Sequence, residues 1–168
     1  MKKLVYWILP ILWMALIYYS SDQPYQEQDI KPFLSDYIDL SFLEPYLQTI
    51  SFTYNQSEVS IDQLGVNGLI EFFIRKGAHV GVFMVLCILF YLAFQQTSKY
   101  SNRKFLSFFA FFATLLYAIF DEWHQSWTPN RTPYIGDVLL DGFGALLAVL
   151  LMLIIFRIKN NKSNKLRK

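Results

Sequence analysis

Four apolar runs, residues 4–19, 77–94, 105–120 and 138–158, constrain this chain more than any other feature, because a helix needs about 20 apolar residues to cross a bilayer. The fourth run meets that length outright. The first and third are nearer 16 residues and reach the interface only with their polar flanks. Four buried helices of a water-soluble globule would need a polar coat. The chain has none to offer, since 54% of its 168 residues are hydrophobic and only 17% are charged. The sequence therefore predicts an all-α membrane protein with four transmembrane helices. It forms a single membrane domain over residues 1–158, with an external segment over 20–76 and a basic cytoplasmic tail over 159–168.

The first run follows Lys2 and Lys3, as a secretory signal would. Tyr18, Tyr19, Ser20 and Ser21 supply no small-residue cleavage pattern, so the run is read as a retained helix. Cys87, the only cysteine, lies within the second run, which excludes disulfides and cysteine-based metal sites.

Charge gives the orientation. Lys2, Lys3, the linker residues Lys99, Arg103 and Lys104, and the tail residues Arg157, Lys159, Lys162, Lys165, Arg167 and Lys168 make eleven of the fifteen basic residues. None of the thirteen acidic residues falls in those segments. Basic residues resist translocation, so both termini are expected in the cytoplasm. The tail is read as a disordered juxtamembrane anchor on anionic lipid, and nucleic-acid binding is not expected.

Between the first two spans, Ile30, Phe33, Leu34, Tyr37 and Ile38, then Phe42, Leu43, Tyr46 and Leu47, approximate helical spacing. They predict short amphipathic helices on the bilayer surface, limited by Pro32 and Pro45. The period then falls to two at Ile50, Phe52 and Tyr54 and resumes at Val59 and Ile61, predicting a small β-hairpin. Residues 69–74 lead as helix into Arg75 and Lys76, with Glu71 placed for an intrahelical pair with Arg75.

Polar groups cluster at the outer ends of the second, third and fourth helices. Arg75, Lys76 and His79 share a helix face. Asp121, Glu122 and Gln125 close the third helix, Arg131 follows in a proline-containing loop, and Asp137 and Asp141 open the fourth. Asp141 lies roughly 6 Å deeper than Asp137 from the helical rise. A central aspartate costs about 3 kcal/mol to insert, so it needs a partner. The expected partners are Arg75, Lys76 and Arg131, with Gly142 and Gly144 allowing a close helix approach.

Two readings of this cluster stand. It is a neutralising network pinning the bundle, or a site where Arg75, Lys76, Gln125 and Arg131 bind a polar headgroup and His79, Asp121, Glu122, Asp137 or Asp141 moves protons. The spacing matches no known metal site, and no cofactor is expected. Ser107 and Ser126 lack a nucleophile-elbow context. Trp123 and Trp127 are read as interface anchors.

Trp13 with Ile17-Tyr18-Tyr19-Ser20-Ser21, then Arg75-Lys76-Gly77-Ala78-His79, then Tyr117-Ala118-Ile119-Phe120-Asp121-Glu122-Trp123-His124-Gln125, then Arg131, Gly136-Asp137-Val138, Asp141 and Gly144, together resemble the VanZ-like family. Its namesake is associated with low-level resistance to teicoplanin-type glycopeptides. The resemblance implies a bacterial plasma-membrane protein acting in the cell envelope. With the outward cluster, it leads to the expectation of a protein that recognises or modifies an envelope glycolipid or lipid-linked precursor. The alternatives are a hydrolase or transferase acting on phosphate-linked lipids, and a small transporter. Expected partners are membrane lipids, a lipid-linked glycan and, for a small bundle, a second copy of the chain.

Overall fold

The computed structural model describes residues 3–99, 102–129 and 131–166. Lys2, Arg167 and Lys168, which figured above, lie outside the described residues. The chain opens with a 3₁₀ turn, Leu4–Trp7, running into α1, Ile8–Asp22. Pro10 falls in the first turn, where its missing N–H costs no helical bond. After a second 3₁₀ turn, Tyr25–Gln28, come α2, Lys31–Tyr37, and α3, Glu44–Leu47. Each of these helices carries its proline near the start, where the missing N–H costs no helical bond.

The hairpin follows at its predicted place. β1, Ser51–Tyr54, pairs antiparallel with β2, Ser57–Ser60, and Phe52 stands opposite Val59. Asn55 and Gln56 form the two-residue turn with φ of 47° and 63°, the positive values a tight hairpin demands.

Three long helices complete the fold: α4, Ile61–Thr97, α5, Arg103–Gln125, and α6, Ile135–Leu166. With 37 residues α4 is about 55 Å long. The hydrocarbon layer is only about 30 Å thick. Its first turns therefore project beyond the layer and carry Glu71, Arg75 and Lys76 to the hairpin end of the bundle. Gly65, at φ 67° and ψ 173°, breaks the first turn away from the rest, a conformation that L residues rarely adopt. Asn102 caps α5 by accepting from Lys104 N and Phe105 N. α6 continues to Leu166 instead of ending in a disordered tail, because no glycine or proline interrupts residues 145–166.

Among the described residues four helices are long and apolar enough to cross a membrane, including residues Leu4–Asp22 at the start of the chain. Leu12, Phe108, Leu116, Leu139 and Ile154 turn outward from the bundle, as lipid-facing side chains do. The interior is built from Phe83, Leu86 and Cys87 of α4 against Ala110 and Ala118 of α5 and Ala145 and Ala148 of α6. Polar ties cross this apolar layer. Trp13 Nε1 donates to Val82 O at 3.0 Å, and the Tyr117 hydroxyl donates to Met14 O at 2.6 Å. Each gives a donor that water cannot reach an acceptor on another helix. The fold is that of a multi-pass membrane protein with a small helix-and-hairpin insertion between its first two spans.

Candidate functional site

α4 and α6 run parallel, and their polar residues meet in register. Lys76 Nζ lies 2.5 Å from Asp137 Oδ1, and one turn deeper His79 Nδ1 lies 3.0 Å from Asp141 Oδ1. Deeper still, Gly144 lets the helices close until a Cβ there would overlap the Val80 carbonyl oxygen. Gly142 has no such role, since a Cβ there meets only a Leu115 methyl at 3.4 Å. The partner expected for Asp141 is thereby corrected. The carboxylate reaches His79 and not Arg75, Lys76 or Arg131, because matching depth on two parallel helices decides which residues can touch.

The hairpin reaches into the same region. The Tyr54 hydroxyl donates to Asp137 Oδ1 at 2.6 Å, and Lys76 Nζ stands 4.5 Å from the Tyr54 ring centroid. Burial and the adjoining Asp137 carboxylate push the Tyr54 phenol well above its usual value. Asp137 thus receives both a charged and a neutral donor.

At the end of α5, Gln125 Nε2 donates to Asp121 Oδ2 at 2.8 Å and to Ser21 Oγ at 3.2 Å. Thr128 Oγ1 donates to Ser21 O at 3.0 Å, tying this corner to the end of α1. Glu122 accepts from the backbone N–H of Tyr134 and so holds the loop that precedes α6. Asp121 Oδ1, Glu122 Oε2 and Asp141 Oδ2 are buried without a hydrogen-bond partner among the described residues.

Gln28, a residue that nothing in the sequence singled out, ties the cations together. Its Oε1 accepts from Arg75 Nη2 at 3.1 Å and from Arg131 Nη2 at 2.6 Å, while its Nε2 donates to Ser20 O at 2.5 Å. Glu71, 1% exposed, lies 3.7 Å from Arg75, the intrahelical pair anticipated above, and 3.9 Å from Lys31. Burial first, and then the repulsion of Arg75, lower the Arg131 pKa below the ordinary guanidinium range.

These groups surround a cavity of ≈ 630 Å³. Arg75, Lys76, His79, Asp121, Gln125, Arg131 and Asp137 all line it. Glu122 and Asp141 stand behind it, the first holding a loop and the second holding His79. Leu16, Ile17, Val82 and Phe83 give the cavity an apolar wall. Trp123 and Trp127 face outward at 55% and 63% exposure, away from the cavity. No group of three or more His, Cys, Asp or Glu among the described residues is arranged to hold a metal ion.

Gln28 and Tyr54 lay outside the predicted set. Both sit in the insertion, and only the tertiary fold brings them to residues 131 and 137.

No curated protein and no solved structure matches the chain. The family model described as VanZ/LLP1 matches residues 6–157, which take in every side chain around the cavity, and the chain accordingly belongs to the VanZ/LLP1 family.

Proposed function

We propose that this protein recognises the polar headgroup of an envelope glycolipid or lipid-linked precursor at the outer leaflet of a bacterial plasma membrane. In doing so it influences susceptibility to teicoplanin-type glycopeptides. The observation that carries this reading is the cavity itself, where Arg75 and Arg131 converge beside an apolar wall formed by α1 and α4. Guanidiniums suit phosphate or carboxylate oxygens, and the wall suits the lipid chain attached to them. The sorting of basic residues supports an outward-facing cavity with both termini in the cytoplasm.

The test is single replacement of Arg75, Asp121 and Asp141, with lipoglycopeptide susceptibility measured at matched protein levels. A change in susceptibility is expected for each. Unchanged protection in all three ends the site assignment. Reporter fusions in the loop over 126–134 test the orientation, and a cytosolic signal there overturns it.

The pairing of Asp141 with His79 favours a second reading, a hydrolase or transferase acting on phosphate-linked lipids. With Asp141 ionised, His79 Nδ1–H donates to it at 3.0 Å and leaves Nε2 as a base. In hydrolysis a water oxygen bonds to phosphorus, the water proton passes to Nε2, and the lipid or glycan alkoxide leaves with the P–O bonding pair. Turnover of a lipid-linked glycan by purified protein, abolished in His79→Gln, establishes this reading. An absence of turnover discards it.

A further inference from the structure

Two guanidiniums share one neutral oxygen at the hairpin end of the bundle. Gln28 Oε1 is 3.1 Å from Arg75 Nη2 and 2.6 Å from Arg131 Nη2. The three residues belong to three separate parts of the fold: the 3₁₀ turn after α1, the helix α4, and the loop ahead of α6. Like charges brought this close repel, and an amide oxygen returns only a partial charge. An ionised acceptor in the same place would form hydrogen bonds roughly twice as strong.

The cations at this point differ in how closely a carboxylate approaches them. Lys31 lies 3.3 Å from Asp29 and Arg75 lies 3.7 Å from Glu71, so each of these cations has a carboxylate within reach. Among the described residues Arg131 makes no ion pair. The Asp121, Glu122 and Asp137 carboxylates act on Arg131 from beyond ion-pair distance, and the Gln28 amide oxygen is the acceptor in direct contact with it.

The geometry points to a phosphate site: the Gln28 amide oxygen holds the place of a phosphate oxygen between Arg75 and Arg131, and a phosphate-bearing ligand binds by displacing it. This rests on the headgroup reading above and names its ligand class. A carboxylate is planar and suits the fork of one arginine. A tetrahedral phosphate offers separate oxygens to two arginines that arrive from different elements. Clearing the position takes the Gln28 side chain away from both arginines and gives up the bond from its Nε2 to Ser20 O. Leu16, 52% exposed, and Leu64, 40% exposed, line the same cavity and leave room for an acyl chain on the phosphate.

The experiment uses the full chain in detergent micelles and three probes: dioleoyl phosphatidic acid, dioleoylglycerol with the same chains and no phosphate, and inorganic phosphate. Native mass spectrometry follows the lipids and titration calorimetry follows the free ion. Phosphatidic acid is expected to bind over dioleoylglycerol, and Arg131→Gln to weaken it by about tenfold or more. Gln28→Ala and Gln28→Asn, which withdraw the resident oxygen, are expected to tighten binding by roughly tenfold. Gln28→Glu installs a permanent carboxylate and is expected to lose binding. Binding of phosphatidic acid alone assigns a lipid headgroup, while equal binding of inorganic phosphate assigns a soluble phosphate.

A merely structural glutamine gives the opposite sign. If Gln28→Ala and Gln28→Asn weaken phosphatidic acid as Arg131→Gln does, the displacement is overturned and headgroup recognition stands. If neither phosphate probe binds wild type or Gln28→Ala while Arg75 replacements still alter susceptibility, the phosphate class is overturned alone. If the Arg75 phenotype is missing as well, headgroup recognition falls with it.

Discussion

Asp141 Oδ1 rests 3.0 Å from His79 Nδ1 across the α4–α6 interface, with the aspartate side chain 1% exposed and the histidine 23% exposed toward the cavity. Removing the histidine strands a carboxylate that the bundle has desolvated. His79→Ala is expected to cost about 3 kcal/mol or more of unfolding free energy in detergent. Asp141→Asn keeps a hydrogen-bonding group of the same size and is expected to cost about 1 kcal/mol. The double variant His79→Ala with Asp141→Leu removes both polar partners and should recover most of the loss. A double variant as unstable as His79→Ala would show that the carboxylate is not what the histidine satisfies.

Helix approach at Gly144 supplies a sharper contrast. A Cβ at that position overlaps the Val80 carbonyl oxygen, and backbone cannot step aside as a flexible side chain can. Gly144→Ala is expected to force α4 and α6 apart and to cost roughly 1–3 kcal/mol. Gly81, on α4, has nothing within 4 Å of the same added atom. Gly81→Ala is expected to be neutral or stabilising by up to about 1 kcal/mol, because it removes glycine from a helix interior. Thermal unfolding of the two variants in one detergent measures the difference, and equal midpoints would contradict it.

Much of this architecture was legible in the residues, for identifiable reasons. The four spans follow from apolar run length, and the hairpin follows from a change of period around Phe52, Tyr54 and Val59. The meeting of Arg75, His79, Asp121 and Asp137 followed from placing charged helix ends on one side of a small bundle. What could not be read was which residue of one helix touches which residue of another. Asp141 pairs with His79 because α4 and α6 are parallel and registered, a relation that helix patterns do not encode. Gln28 was invisible for another reason. A lone amide in a polar turn has no local signature, and its meaning comes from residues 47 and 103 positions away.

Glu122 marks where the loop carrying Arg131 is held. Its Oε1 accepts from Tyr134 N, and Glu122 is 7% exposed, so water does not readily replace it. Glu122→Ala leaves that N–H without its acceptor, at an expected cost of about 1–3 kcal/mol. Glu122→Gln keeps a carbonyl oxygen and should stay near wild type. Limited proteolysis within residues 126–134 is the readout: faster cleavage is expected in the alanine variant only. Equal cleavage in both variants would mean that the loop is held by other contacts.

Tyr54 links the insertion to α6, and its ionisation gives the docking a pH dependence of definite sign. The folded phenol sits well above its ordinary value of 10.0, because burial and the Asp137 carboxylate both oppose a phenolate. Between 10.0 and the raised folded value, the unfolded chain releases this proton while the folded chain keeps it. The folded form binds more protons there, so the contribution is fully present below 10.0 and drains away as pH rises. Tyr54→Phe lacks both the hydroxyl bond to Asp137 and the titration. Its unfolding midpoint should lie below that of wild type at neutral pH, with the gap narrowing above pH 10. A gap that stays constant into alkali would show that the Tyr54 hydroxyl does not hold its proton through Asp137.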